Sequence, residues 1–120
     1  MKKKSFEILN TKNGVQDFLN TDNFVKKTCE QLNKDLIGFL DYSIEIPKAD
    51  FLQSLINQLV SVFYELESSS QLPAFIYRVD LSEKLFKAAL MDRDFYHLGF
   101  QVVQREAQKV FLKEHFKTNE

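Results

Sequence analysis

"PKADFLQSLINQLVSVFYELE", residues 47–67, is the stretch that decides the fold. Its apolar residues recur at helical spacing and share one face of a helix: Phe51, Leu52, Leu55, Ile56, Leu59, Val62, Phe63 and Leu66. The opposite face is polar and carries Gln53, Ser54, Asn57, Ser61 and Glu65. The pattern predicts an amphipathic helix over about 47–67, with Pro47 at its first position and one face in a core.

Three further segments show helical spacing, at about 22–42, 73–91 and 94–116. The segment 73–91 is interrupted, and Asp80 with Glu83 three residues later has the spacing of a capping box for its second half. Alternation of apolar residues over 75–81 leaves a strand open as the alternative there. Together these segments predict an all-α fold, an antiparallel four-helix bundle-like domain with a kinked third helix.

The composition fits one soluble globular domain spanning residues 1–120. We expect residues 1–20 to be a partly flexible N-terminal segment, in which "GVQDFLN" forms a short helix across one end of the bundle and Lys2–Lys4 are a solvated tail. Sixteen basic residues nearly balance seventeen acidic ones, so the charge does not favour a nucleic-acid partner. No apolar run approaches the ~20 residues of a membrane helix, and a single cysteine suits a reducing compartment. We therefore expect a cytoplasmic protein with no membrane partner.

Two carboxylates interrupt the apolar helix faces. Glu106 falls inside the apolar arc of 94–116, and Asp35 falls at the edge of the arc of 22–42. A buried carboxylate must be paired or protonated, and Arg78 is the partner predicted for Glu106, while Asp80 caps its own helix or meets Arg105. The sequence thus predicts a buried polar cluster of Asp35, Arg78, Asp80, Arg105 and Glu106.

This cluster has three interpretations. In the first, a buried ion pair fixes the kink of the third helix against the last helix. In the second, Asp35, Arg78 and Glu106 line a ligand pocket between helices, as occurs in helical bundles. In the third, the helical phase is wrong and the groups reach solvent.

The sequence predicts no catalytic residue, metal site or cofactor. Cys29 lies on an apolar stripe and is expected to be a buried small hydrophobe. His97 follows Asp94 by three residues, which is an ordinary surface pair near a helix start. The chain contains no Glu-x-x-His, which argues against a di-iron bundle.

The apolar arc of 94–116 is wider than one buried face requires, so this helix is either central or packs on another molecule. Together with twelve Phe and four Tyr, it predicts an interface at Tyr96, Phe100, Val103, Ala107 and Phe111. We expect a small non-enzymatic protein that acts by protein–protein association, as a homodimer first or with another protein. The alternatives are a small-molecule-binding bundle with a polar pocket around Arg78 and a nucleic-acid or transcription accessory protein.

Overall fold

A computed structural model describes residues 6–118, with side chains as far as Phe116, and this part of the chain is helical without strands. The helices are α1 (Lys12–Leu19), α2 (Phe24–Asp35), α3 (Phe51–Ser68), α4 (Leu72–Val79), α5 (Glu83–Asp92) and α6 (Phe95–Thr118), and residues 6–8 are also helical. The all-α class is confirmed, whereas a four-helix bundle as such is not. No helix in the described range is long and apolar enough to cross a membrane.

Helices α3 and α6 match the predicted segments most closely. α6 begins where predicted, because the Asp94 carboxylate accepts a hydrogen bond from the backbone N–H of His97 at 2.9 Å. α3 begins at Phe51, so the prediction of Pro47 as its first residue was wrong. Asp50, directly before it, has a left-handed backbone with φ of 48°, which separates the helix from the preceding loop.

Helix α2 ends at Asp35, seven residues before the predicted end at 42. Gly38 has φ of 89°, a left-handed conformation that is accessible to glycine and incompatible with continuing the helix. The loop that follows is held against α2 by the Asn33 amide, which accepts from Ile44 N at 2.7 Å and donates to Ile44 O at 3.0 Å. The apolar residues after position 35 therefore pack as a loop.

The third predicted helix is broken, as expected, into α4 and α5. The break is at Asp80, whose φ of 70° places it in the left-handed region at the end of α4. Ser82 caps α5, since its hydroxyl accepts from Leu85 N at 3.1 Å, so the assignment of Asp80 as that cap was wrong. The strand alternative over 75–81 is excluded because most of this range is helical.

Helix α6 is the centre of the fold and contacts all five other named helices. Buried side chains lie around most of its circumference, among them Leu98, Val102, Val103 and Ala107. It approaches α3 closely at Gly99, where a Cβ atom would lie 3.1 Å from Ile56 Cγ2. The wide apolar arc therefore reflects a central position inside one chain.

The short helix predicted from "GVQDFLN" is confirmed as part of α1, which buries Val15 and Leu19. Gly14 makes this packing possible, because a Cβ atom there would overlap the backbone carbonyl of Ile8. Residues 2–4, predicted to be a solvated tail, lie outside the described residues.

Candidate functional site

Three ionisable side chains meet inside the protein where α2, α4 and α6 come together. The Lys109 ammonium lies 2.6 Å from Asp35 Oδ2 and 2.8 Å from Glu106 Oε1. It also donates a hydrogen bond to the backbone carbonyl of Val79 at the end of α4, at 3.2 Å. We call Asp35, Glu106 and Lys109 the buried ionic centre, and it joins three helices through one ammonium group.

Glu106 is the least accessible member, with 0% of its surface exposed. Both carboxyl oxygens of Glu106 are buried, and Lys109, 2.8 Å from Oε1, is the one cation beside them within the described residues. Burial, followed by a hydrogen bond with Asp35, raises the pKa of Glu106 to about 9 against the opposing effect of Lys109. At neutral pH Glu106 is therefore a neutral acid that donates its proton to the Asp35 carboxylate.

Asp35 and Lys109 form the charged pair of the centre. Burial alone would raise the pKa of Asp35, but its hydrogen bonds with Glu106 and Lys109 outweigh burial and lower it. Burial alone would lower the pKa of Lys109, but its hydrogen bonds with Asp35 and Glu106 outweigh that effect and raise it. The centre thus holds one negative charge, one positive charge and one neutral acid, and its net charge is zero.

A chain of hydrogen bonds links the centre to the surface. Gln31 is buried and donates from Nε2 to Asp35 Oδ1 at 3.4 Å, while its Oε1 accepts from Lys113 Nζ at 2.5 Å. Gln31 and Lys113 belong to a groove of about 240 Å³ between α2 and α6, also lined by Lys27, Glu30, Lys34, Val110 and Glu114. The buried ionic centre is therefore connected to solvent through side chains.

Arg78 does not pair with Glu106, and that prediction was wrong. Its Nη1 donates to the backbone carbonyls of Ile37 at 2.6 Å and Asp35 at 3.3 Å. The guanidinium lies over the Phe39 ring, 4.5 Å from its centre, and the side chain is exposed at the surface. The early end of α2 explains the difference, because it presents free carbonyls to Arg78 where a continuing helix would present none.

Asp80 and Arg105 form the pair that was predicted as one of two options. Arg105 Nη2 lies 2.9 Å from Asp80 Oδ2, and Arg105 Nε donates to Asp80 O at 3.1 Å. Asp80 is exposed, so this pair lies at the surface. Of the predicted cluster, only Asp35 and Glu106 are buried together. The three residues predicted to line a pocket, Asp35, Arg78 and Glu106, do not do so together, because Arg78 is exposed at the surface.

Lys109 is the member that the sequence analysis missed. It was missed because residues 104–109 are mostly polar and lysine is usually a surface residue. The signal that identifies it is its position three residues after Glu106 on the same helix, which places the two side chains on one face. Its flexible stem then reaches Asp35 on α2, a contact that sequence spacing does not show.

The predicted interface on α6 requires a correction. Val103 and Ala107 are fully buried within the chain, and Phe100 and Phe111 are half-buried against the core. Tyr96 alone of the five is exposed. Because α6 is central, its second side packs on other helices of the same chain, and this set of residues does not form an outer face.

The remaining candidate residues have structural positions. Cys29 is buried as predicted, its thiol donates to Ile44 O at 3.3 Å, and burial raises its pKa to about 11, so the thiol stays protonated at neutral pH. The His97 ring stacks on Phe100 with centres 6.4 Å apart. Within residues 6–118, no three His, Cys, Asp or Glu side chains are grouped so that they could hold a metal ion.

Comparison with known proteins gives no relative: no protein-family model matches the chain, and no curated protein or solved structure matches it significantly. The fold and the site themselves describe a helical protein with a buried ionic centre.

Proposed function

We propose that this protein is a non-enzymatic helical module that acts by protein–protein association, beginning with itself. The supporting observation is the outer side of α5. This helix buries Phe86 and Ala89 against the core, but Leu85 is 43% and Met91 86% exposed. Leu85 and Met91 lie about 120° apart round the helix and flank its outer side, and exposed large apolar side chains of this kind support an interaction surface.

A non-enzymatic role is supported by the way the ionisable groups are used. Asp35, Glu106 and Lys109 satisfy one another's charges inside the protein. The raised pKa of the Cys29 thiol leaves it a poor nucleophile. A cytoplasmic location and an antiparallel four-helix core of α2, α3, the α4–α5 pair and α6 remain parts of the proposal, the latter supported by the contacts of α6 with each of these helices.

Sedimentation equilibrium on the full chain tests the proposal. We expect a reversible increase from the 14.1 kDa chain to twice that mass as the protein concentration rises. A single 14.1 kDa species at every concentration up to the solubility limit would contradict self-association.

Binding of a small anion is the second candidate, and one observation favours it. The groove between α2 and α6, about 240 Å³ in volume, is lined by Lys27, Lys34 and Lys113 together with Glu30 and Glu114. Lys27 pairs with Glu114 at 3.0 Å, so Lys34 and Lys113 are the lysines of the groove outside that ion pair. Inorganic phosphate should raise the melting temperature of the wild type and have a smaller effect on Lys113→Gln. Equal shifts in both proteins would exclude this site.

A further inference from the structure

A cavity of about 260 Å³ lies between the end of α2 and the loop that follows it. Its lining includes the apolar residues Leu36, Ile37 and Leu40, and Asp41 and Tyr42 line it as well. Pockets for small molecules generally measure about 300–1,000 Å³, so this volume suits a single amino-acid side chain better than a whole small-molecule ligand.

The loop beside the cavity is held in place by hydrogen bonds within the chain. The Tyr42 hydroxyl donates to Glu65 Oε1 on α3 at 2.8 Å. The Gln58 side chain accepts from Glu45 N at 2.9 Å and donates to Glu45 O at 3.0 Å. Together with the bonds that hold the loop to α2, these contacts fix the shape of the cavity in advance, which lowers the ordering cost of binding.

The cavity lies in an acidic part of the chain. Residues 41–67 contain five acidic residues and one basic residue, although the chain as a whole is nearly balanced. Asp41 and Glu65 belong to no ion pair among the described residues, and none of the described residues that line the cavity is basic. Both charges act on Tyr42, whose pKa is raised by the hydrogen bond to Glu65, by burial and by the charges of Glu65 and Asp41.

Arg78 contacts the same segment of the chain but is already engaged. It donates to the backbone carbonyls of Asp35 and Ile37 and lies over the Phe39 ring, outside the lining of the cavity. Arg78 therefore offsets the negative end of α2 and leaves the carboxylates of Asp41 and Glu65 available to a partner.

We propose that this cavity receives an arginine side chain from a basic segment of another protein. The choice of partner rests on complementary charge and on the amphipathic character of arginine. Its aliphatic stem can lie against the apolar wall at Ile37, while its guanidinium can pair with Asp41 and stack on the Tyr42 ring. The partner is not a second copy of this chain, so the proposal goes beyond self-association and does not depend on it.

A hexa-arginine peptide is the probe, and hexa-citrulline, which has a similar shape without the charges, is its control. In a heteronuclear NMR titration of the full chain, hexa-arginine should shift the backbone amides of residues 36–43 and of Glu65 first. We expect a dissociation constant on the order of 100 μM, because the contact is far smaller than the roughly 800 Å² per partner of a standard interface. Hexa-citrulline should not shift these amides.

Three substitutions test the roles of charge and shape. Asp41→Asn should weaken binding about three- to fivefold, which is the size expected for an exposed ion pair. Ile37→Ser removes an apolar wall and should also weaken binding, and the side chain is 67% exposed, so the fold should be kept. Asp17→Asn, an exposed position on α1, changes the net charge by the same amount and should bind as the wild type does. Circular dichroism checks the helical content of each variant.

Shifts spread evenly over the surface, or equal effects of Asp41→Asn and Asp17→Asn, would overturn the assigned site. Arginine amide that binds as tightly as the peptide would indicate a small-molecule site and would overturn the assignment of a protein segment. Either result leaves self-association standing, because sedimentation equilibrium measures that separately.

Discussion

The protonation of Glu106 has a direct consequence for stability. The folded protein holds a proton on Glu106 up to a pKa of about 9, whereas a glutamate in the unfolded chain loses it near its ordinary pKa of about 4.3. Between these values the folded state binds one more proton than the unfolded state. The stability contribution is complete below the unfolded pKa and is lost progressively as the pH rises towards the folded pKa.

The size of the effect follows from this proton count. One proton corresponds to a slope of about 1.4 kcal/mol per pH unit, so the free energy of unfolding should fall by up to about 4 kcal/mol between pH 5 and pH 8. The lowered pKa of Asp35 acts below this window and the raised pKa of Lys109 acts above it. Between pH 5 and pH 8, a difference in the pH dependence of unfolding free energy between the wild type and a variant without Glu106 therefore reports the ionisation of Glu106.

Glu106→Gln isolates this effect. Glutamine has nearly the same shape, cannot ionise, and its amide can donate to Asp35 in place of the carboxyl proton. We expect E106Q to lose the Glu106-dependent slope between about pH 5 and pH 8 and to be the more stable protein at the upper end.

Urea denaturation followed by far-ultraviolet circular dichroism, at several pH values in this window, measures the slope. Glu83→Gln removes a carboxylate whose side chain is 79% exposed, and it should keep the wild-type slope. If wild type and E106Q lost stability in parallel with rising pH, Glu106 would be ionised in the folded protein and the reasoning would be refuted.

Three further substitutions probe the packing by the same denaturation measurement. Lys109→Met leaves the Asp35 charge buried without its cation and should lower the free energy of unfolding by about 3–5 kcal/mol. The exposed Lys34→Met control should change it by no more than about 0.5 kcal/mol. Equal effects of the two substitutions would contradict the buried ionic centre. Arg78→Ala removes hydrogen bonds to two backbone carbonyls at the surface and should cost about 1 kcal/mol; a loss of several kcal/mol would mean that Arg78 supports a buried carboxylate after all. Gly14→Ala inserts a Cβ atom against a backbone carbonyl and should cost about 1–3 kcal/mol; a gain, as helix propensity alone predicts, would contradict the close packing of α1.

The features that could be predicted from sequence are those with a local cause. The period of apolar residues in 47–67 locates α3, because one face must be buried over several turns whatever it packs against. Asp94 marks the start of α6 because its carboxylate accepts a hydrogen bond from a backbone N–H three residues later. The burial of Glu106 also follows from its place in an apolar arc.

Tertiary structure decided what depends on segments that are distant in the chain. α2 ends at Asp35 because Gly38 turns the chain and Asn33 holds the loop at Ile44, eleven residues away. The early end of α2 gives Arg78 backbone carbonyls to bind, and the contact of Lys109 with Asp35 joins residues that are far apart in the chain. The wide apolar arc of α6 could mean a central helix or an interface, and only the positions of the surrounding helices distinguish them. Local pattern fixes which side of a helix is apolar, while the identity of the group that covers it is set by packing across the whole chain.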